Sequence, residues 1–121
     1  MKIIIDAFGG DNAPLEILKG AMLAVDEFNI DVVLVGDEEK IIDCAKQHNI
    51  TLKNYEIVDA RDVITMCDDA KSVLREKSES SMAVGFKLLN DDRGDAFVSA
   101  GNTGAITVGA TFITKRIRGV K

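Results

Sequence analysis

Three short stretches hold the residue types and spacings that could do chemistry. The first is DAFVSAGNTGA, from Asp95 to Ala105. Ala96-Phe97-Val98 form an apolar run, Ser99 to Gly104 are small and mostly polar, and an apolar helical run from Ala105 to Ile113 follows at once. This pattern predicts a buried strand, a tight turn and a buried helix. Ligands bind at the carboxyl ends of strands in open α/β sheets. A helix N-terminus placed there offers N–H groups and a positive partial charge, which suits an anion. Gly101 and Gly104 let the backbone come close to that anion. Ser99, Asn102 and Thr103 add side-chain donors. The same residues also fit an ordinary strand–helix loop with Asn102 or Thr103 as N-cap. The GxxG spacing is not the GxGxxG of a dinucleotide site.

The second stretch is Asp6-Ala7-Phe8-Gly9-Gly10-Asp11-Asn12. It too lies between the end of a strand and the start of a helix. It is either a second wall of one ligand cleft or a glycine turn with Asp11 or Asn12 as cap. The third is Lys77-Ser78-Glu79-Ser80-Ser81-Met82, where Ser80 or Ser81 can cap a helix. Arg75 and Lys77 stand just before that cap, as a basic pair able to hold phosphate or as a solvated charge run.

Other chemistries find little support. Cys44 and Cys67 form no CxxC, and the single His48 cannot complete a usual zinc set with them. Two cysteines in such a chain fit a reduced cytosolic protein. His48 is expected near a helix C-terminus at the surface, and Cys44 as a small core residue. The aspartates between Asp59 and Asp69 lack the spacing of a calcium loop. A net charge of −5 disfavours a nucleic-acid or anionic-membrane surface, and aromatics at 5% with no Trp leave no stacking platform. The N-terminal MKIIIDA is neither a signal peptide nor a membrane span.

These stretches must be positioned by alternating strands and helices. KIIID (2–6), DVVLVG (31–36), YEIV (55–58) and the run after Asp95 read as strands, the first two fully buried. Pro14 is placed at the first position of a helix over 14–28, with Leu18, Ala21, Met22, Val25 and Phe28 inward. Gly20 inside it implies a close packing contact with the sheet. Asp37 caps a helix over about 38–48 with Ile41, Ile42, Cys44 and Ala45 on its inner face. Further helices are expected over 69–76, from Ser80 or Ser81 to about Asn90 with Met82, Phe86 and Leu89 inward, and over 104–116. The last is apolar nearly all round and needs cover. The alternation predicts a mainly parallel sheet with helices on both faces. If the first and fourth strands are neighbours, the two glycine loops open into one crevice. The 121 residues read as the front part of a larger chain.

DAFGGDNAP (6–14), LVGDEEKI (34–41), SSM (80–82) and SAGNTGA (99–105) resemble the PlsX family of bacterial phosphate acyltransferases, in order along essentially the whole chain. Phe8 stands where Met is usual, Asn12 where His is common, and Ala70 and Ser78 where Pro and a basic residue are expected. The resemblance implies a Rossmann-like three-layer α/β/α fold, of which residues 1–121 are the N-terminal part of a single domain. It implies transfer of a fatty acyl group from acyl carrier protein to inorganic phosphate, giving acyl phosphate for phospholipid synthesis. A membrane acyltransferase then passes the acyl group to glycerol 3-phosphate. No metal or organic cofactor and no nucleic acid are implied. The implied protein is a cytoplasmic homodimer that touches the membrane peripherally when full-length. On this reading Gly9, Gly10, Asn102, Thr103 and Gly104 line the phosphate and thioester end, in the loop that also holds Ser99 and Gly101. Asp6, Asp11 and Asn12 position that end or a water, and Lys77 attracts the phosphate. No residue stands out as general acid for the leaving thiolate.

Two other functions fit the same residues. One is an acyl-CoA:phosphate transferase of the phosphate acetyl- or butyryltransferase kind, separable by carrier dependence. The other is a catalytically inactive fragment that only binds ligand or another chain. A nicotinamide enzyme fits less well, because no acidic residue follows a GxGxxG at the needed distance.

Overall fold

The computed structural model describes residues 1–10, 12–60, 80–101, 103–110 and 113. Chain order is β1 (Lys2–Asp6), α1 (Leu15–Phe28), β2 (Asp31–Gly36), α2 (Glu38–Gln47), β3 (Tyr55–Asp59), α3 (Ser81–Asn90), β4 (Ala96–Val98) and α4 (Thr103–Gly109). The strands form one four-stranded sheet in the order β3-β2-β1-β4. Every pairing is parallel, with Ile5 opposite Leu34 on one side and Val98 on the other. The expected helix over 69–76, the acidic segment beyond Ala60, and Cys67, Arg75 and Lys77 lie outside the described residues.

Two-residue alternation divides the strand side chains between two layers. Ile5, Val32 and Leu34 face α1 and α2, meeting Leu18, Ala21, Met22, Val25 and Ile41. Ile4, Val33 and Val35 face the other way, onto Leu88 of α3 and its half-buried neighbours Val84 and Leu89. Phe86 of α3 packs on Phe97 with ring centroids 4.8 Å apart, and on Ala105 of α4 through a third cluster. Helices on both faces of a parallel sheet are the α/β architecture that the alternation implied. Asp95 fixes β4 beside β1. Its carboxylate accepts from the Lys2 N–H at 2.8 Å, and its own N–H donates to the Lys2 carbonyl at 2.7 Å.

Local expectations fail where a residue's neighbours, rather than its own propensity, decide. β4 is not buried: Val98 is 55% exposed, on the wall of an open groove. Phe28, at the end of α1, points to solvent, and Leu88 rather than Leu89 is the more buried leucine of α3. Pro14 sits at the N-cap of α1 with no side-chain cap bond, so Asn12 does not cap the helix; its backbone carbonyl instead accepts from the Glu16 N–H. Gly20 makes no such contact: beyond its own helix turn, a Cβ there would meet no atom within 4 Å. Other expectations hold. Asp37 caps α2, Ser80 caps α3, Cys44 packs against the core, and His48 lies exposed at the α2 C-cap. No helix among the described residues is long and apolar enough to cross a membrane.

Candidate functional site

Asp6 ends β1, two residues after Ile4, and so shares the face that α3 covers. Its side chain is 2% exposed. Carboxylates are seldom buried this far without partners, and this one has several. The Ser81 hydroxyl of α3 donates to Oδ1 at 2.5 Å, and the Phe8 N–H donates to the same oxygen at 3.1 Å. The Ser99 hydroxyl, from the loop after β4, donates to Oδ2 at 2.9 Å. Ser99 Oγ in turn accepts from the Gly101 N–H at 3.1 Å. Burial pushes the Asp6 carboxyl above the ordinary aspartate range, and the Ser81, Ser99 and backbone hydrogen bonds hold it partly back.

This convergence depends on the sheet order. β1 lies beside β4, so the loops that leave their carboxyl ends are neighbours. Glycine lets them touch. A Cβ on Gly9 would stand 2.7 Å from Ser99 Oγ, 2.8 Å from Asp6 Oδ2 and 3.0 Å from the Gly101 nitrogen. Gly10 has φ +100, which L side chains rarely adopt, and it packs against Ala100. Gly101 lies against Gly9 Cα and the end of Met82. Across this junction α3 begins with Ser80, whose buried hydroxyl accepts from the Ala83 N–H at 3.2 Å.

Of the residues singled out in the sequence, Asp6, Gly9, Gly10, Ser99 and Gly101 therefore come together. Thr103 opens α4, Gly104 follows it exposed, and Asn12 lies exposed farther along its loop. Asp11, Lys77 and Asn102 fall outside the described residues. Ser81, a cap candidate within the SSM motif, is instead Asp6's partner. The signal was the doubled serine: one hydroxyl caps α3 and the second is spare.

Beside the cluster runs a largely apolar groove of about 330 Å³. Ile3, Ile5, Ile17, Ala21, Ala24 and Val98 line its length, Gly20 leaves a gap in its wall, and Asp6, Ser99 and Ala100 close the end at the site. No group of three His, Cys, Asp or Glu among the described residues could hold a metal ion. The Phe8, Gly9 and Gly101 N–H groups and the Ser81 and Ser99 hydroxyls are thus spent inside the junction, and hold the two loops together at one end of an apolar groove. A groove of this kind suits the hydrocarbon body of a substrate.

Comparison with known proteins identifies the family. The family model described as fatty acid synthesis protein matches residues 1–121. A phosphate acyltransferase of Dictyoglomus turgidum is 46% identical over 121 residues, covering 100% of this chain and 36% of that protein. One of Acetivibrio thermocellus is 44% identical, covering 99% and 36%. One of Clostridioides difficile is 37% identical over 120 residues, covering 99% and 35%. The chain thus spans about a third of the length of the curated relatives it matches. The glycine loops that pack together here lie in two of the four motifs that carry the resemblance, and the chain belongs to the fatty acid synthesis protein (PlsX) family.

Proposed function

We propose that this chain carries part of the active site of a phosphate acyltransferase, which moves a fatty acyl group from acyl carrier protein to inorganic phosphate. A phosphate oxygen attacks the thioester carbonyl, the C–S bond breaks, and acyl phosphate and the carrier thiolate leave. The protein has to hold a phosphate dianion beside a developing oxyanion, and no covalent nucleophile is needed. Gly9, Gly10, Asn102, Thr103 and Gly104 supply the backbone and side-chain donors. In this proposal Asp11 and Asn12 position that end or a water, and Lys77 draws phosphate in. Asp6 is too deeply buried to meet substrate and serves the loops instead.

The observation that carries this reading is the packing of Gly9 against Ser99 and Gly101, which makes one site of two loops 90 residues apart. The apolar groove that ends at the same junction supports a hydrocarbon substrate. The rest of the proposal rests on the family resemblance alone: a homodimer, cytoplasmic and peripheral to the membrane when full-length, feeding a membrane acyltransferase that uses glycerol 3-phosphate.

The test is acyl-phosphate formation from palmitoyl-acyl carrier protein and phosphate. This chain is compared with the same protein extended to the length of its relatives. Turnover by the extended form, lost or strongly reduced in Asn102→Ala and Thr103→Val, is the expected result. Turnover only with acyl-CoA moves the protein to the acyl-CoA:phosphate transferases. Unchanged turnover and phosphate dependence in both variants removes those residues from the site.

A further inference from the structure

Three segments far apart in the chain converge on one carboxyl. Ser81 lies 75 residues from Asp6 in sequence and Ser99 lies 93 away, yet each hydroxyl donates to a different Asp6 oxygen. Asp6 and Ser81 are both almost fully buried, at 2% and 1% exposure. An apolar residue would hold the fold there as well as Ile4 and Val35 do around it, and without the cost of burying a carboxylate. What the carboxylate does, and an apolar residue cannot, is orient two hydroxyls. The Ser99 proton points to Asp6, so the Ser99 lone pair is free to take the Gly101 N–H. The loop backbone at Gly101 is thereby fixed against Gly9.

We infer that Asp6 and Ser81 are positioning residues of the acyl-transfer site: the Ser81–Asp6–Ser99 hydrogen-bond chain clamps the start of α3 to both glycine loops and sets the spacing of the loop groups that meet substrate. This rests on the function proposed above. The clamp works with Asp6 ionised and accepting from both sides. Protonation turns one oxygen into a donor, and one serine must then reverse. The groups facing Asp6 are Phe8 and Gly9 of the β1–α1 loop, Val35 of β2, Ser81 of α3 and Ser99 of the β4–α4 loop. None of these ionises. Glu16 of α1 is the other charged residue that lines the adjoining groove. Burial therefore dominates the titration of Asp6.

Two measurements test the clamp. In the extended enzyme, Asp6→Asn and Ser81→Ala lower kcat about tenfold or more, the scale expected when a hydrogen bond to a charged acceptor is lost. KM for the acyl carrier changes little. Wild-type kcat falls at acid pH with a midpoint above that of an ordinary aspartate, and this acid limb is absent in Asp6→Asn. Ser99→Thr keeps the hydroxyl and retains activity that Ser99→Ala loses. In the 121-residue chain, amide hydrogen exchange at Phe8 and Gly101 speeds up about tenfold in Asp6→Asn, while Val33 in β2 is unchanged. Unaltered kcat and pH profile in an active enzyme overturns the positioning role and leaves the proposed function standing. No acyl phosphate from the wild type overturns the proposed function, and the exchange rates then decide the clamp by themselves. Unchanged exchange at Gly101 overturns it in either case.

Discussion

The same substitution, glycine to alanine, should act in opposite directions at two positions of this chain. At Gly9 the added methyl stands 2.7 Å from Ser99 Oγ, 2.8 Å from Asp6 Oδ2 and 3.0 Å from the Gly101 nitrogen. None of these atoms is the loose end of a flexible side chain, since Asp6 and Ser99 are bonded to each other and Gly101 is bonded to Ser99. Overpacking of this kind costs about 1–3 kcal/mol. Losing a hydrogen bond to a charged group costs about 1.5–3 kcal/mol. Both describe one displacement, so they are not added, and a loss of about 2 kcal/mol is expected. With a urea slope of about 1.5 kcal/mol/M, the unfolding midpoint falls by about 1.3 M. At Gly20, in the interior of α1, the methyl meets nothing within 4 Å beyond its own helix turn. There the helix gains about 0.5–1 kcal/mol and the midpoint rises by about 0.5 M. Urea unfolding of the two variants beside the wild type, followed by circular dichroism, reads both shifts. A Gly9→Ala midpoint within about 0.2 M of wild type would refute the close packing of the two loops and the single site built on it.

Asp6 links stability to pH with a definite sign. Its folded pKa is raised, so its favourable contribution is full below the unfolded value of about 3.9 and is lost as pH rises through the folded value. Asp6→Asn therefore gains on the wild type as pH rises through that window; urea midpoints across pH check this, and a variant that loses ground as pH rises contradicts it. Ser80→Ala removes the only described side-chain cap of α3 and should cost about 1–2 kcal/mol, seen as a lower thermal midpoint, whereas an unchanged midpoint would mean the cap is redundant. Gly20→Leu fills the gap in the groove wall and should raise KM for long-chain acyl carriers more than for short ones. Equal effects at all chain lengths would take the groove out of the substrate path.

Much of the fold was legible because local signals agreed with the final packing. The β-branched runs at 2–6 and 31–36 and the three- and four-residue spacing after Pro14 each named an element that formed. Both glycine loops could be read as candidate sites, but each alone was also an ordinary turn. What joined them was the position of β1 between β2 and β4, a matter of sheet order that no local pattern contains. The misreadings have the same origin. Val98 belongs to an apolar run but lies on the wall of an open groove, and Gly20 implied a close contact where the structure has open space. Asp6 shows how far parity can reach. Counting by two from Ile4 puts its side chain on the face of Val33 and Val35, so any carboxylate there had to meet the element that covers those residues. That element is α3, and it begins with a serine to cap the helix and a second serine with a hydroxyl to spare. The buried acid and the doubled serine, each unremarkable by itself, were the two halves of one interaction. The order of the strands was the missing term that put them within reach of Ser99.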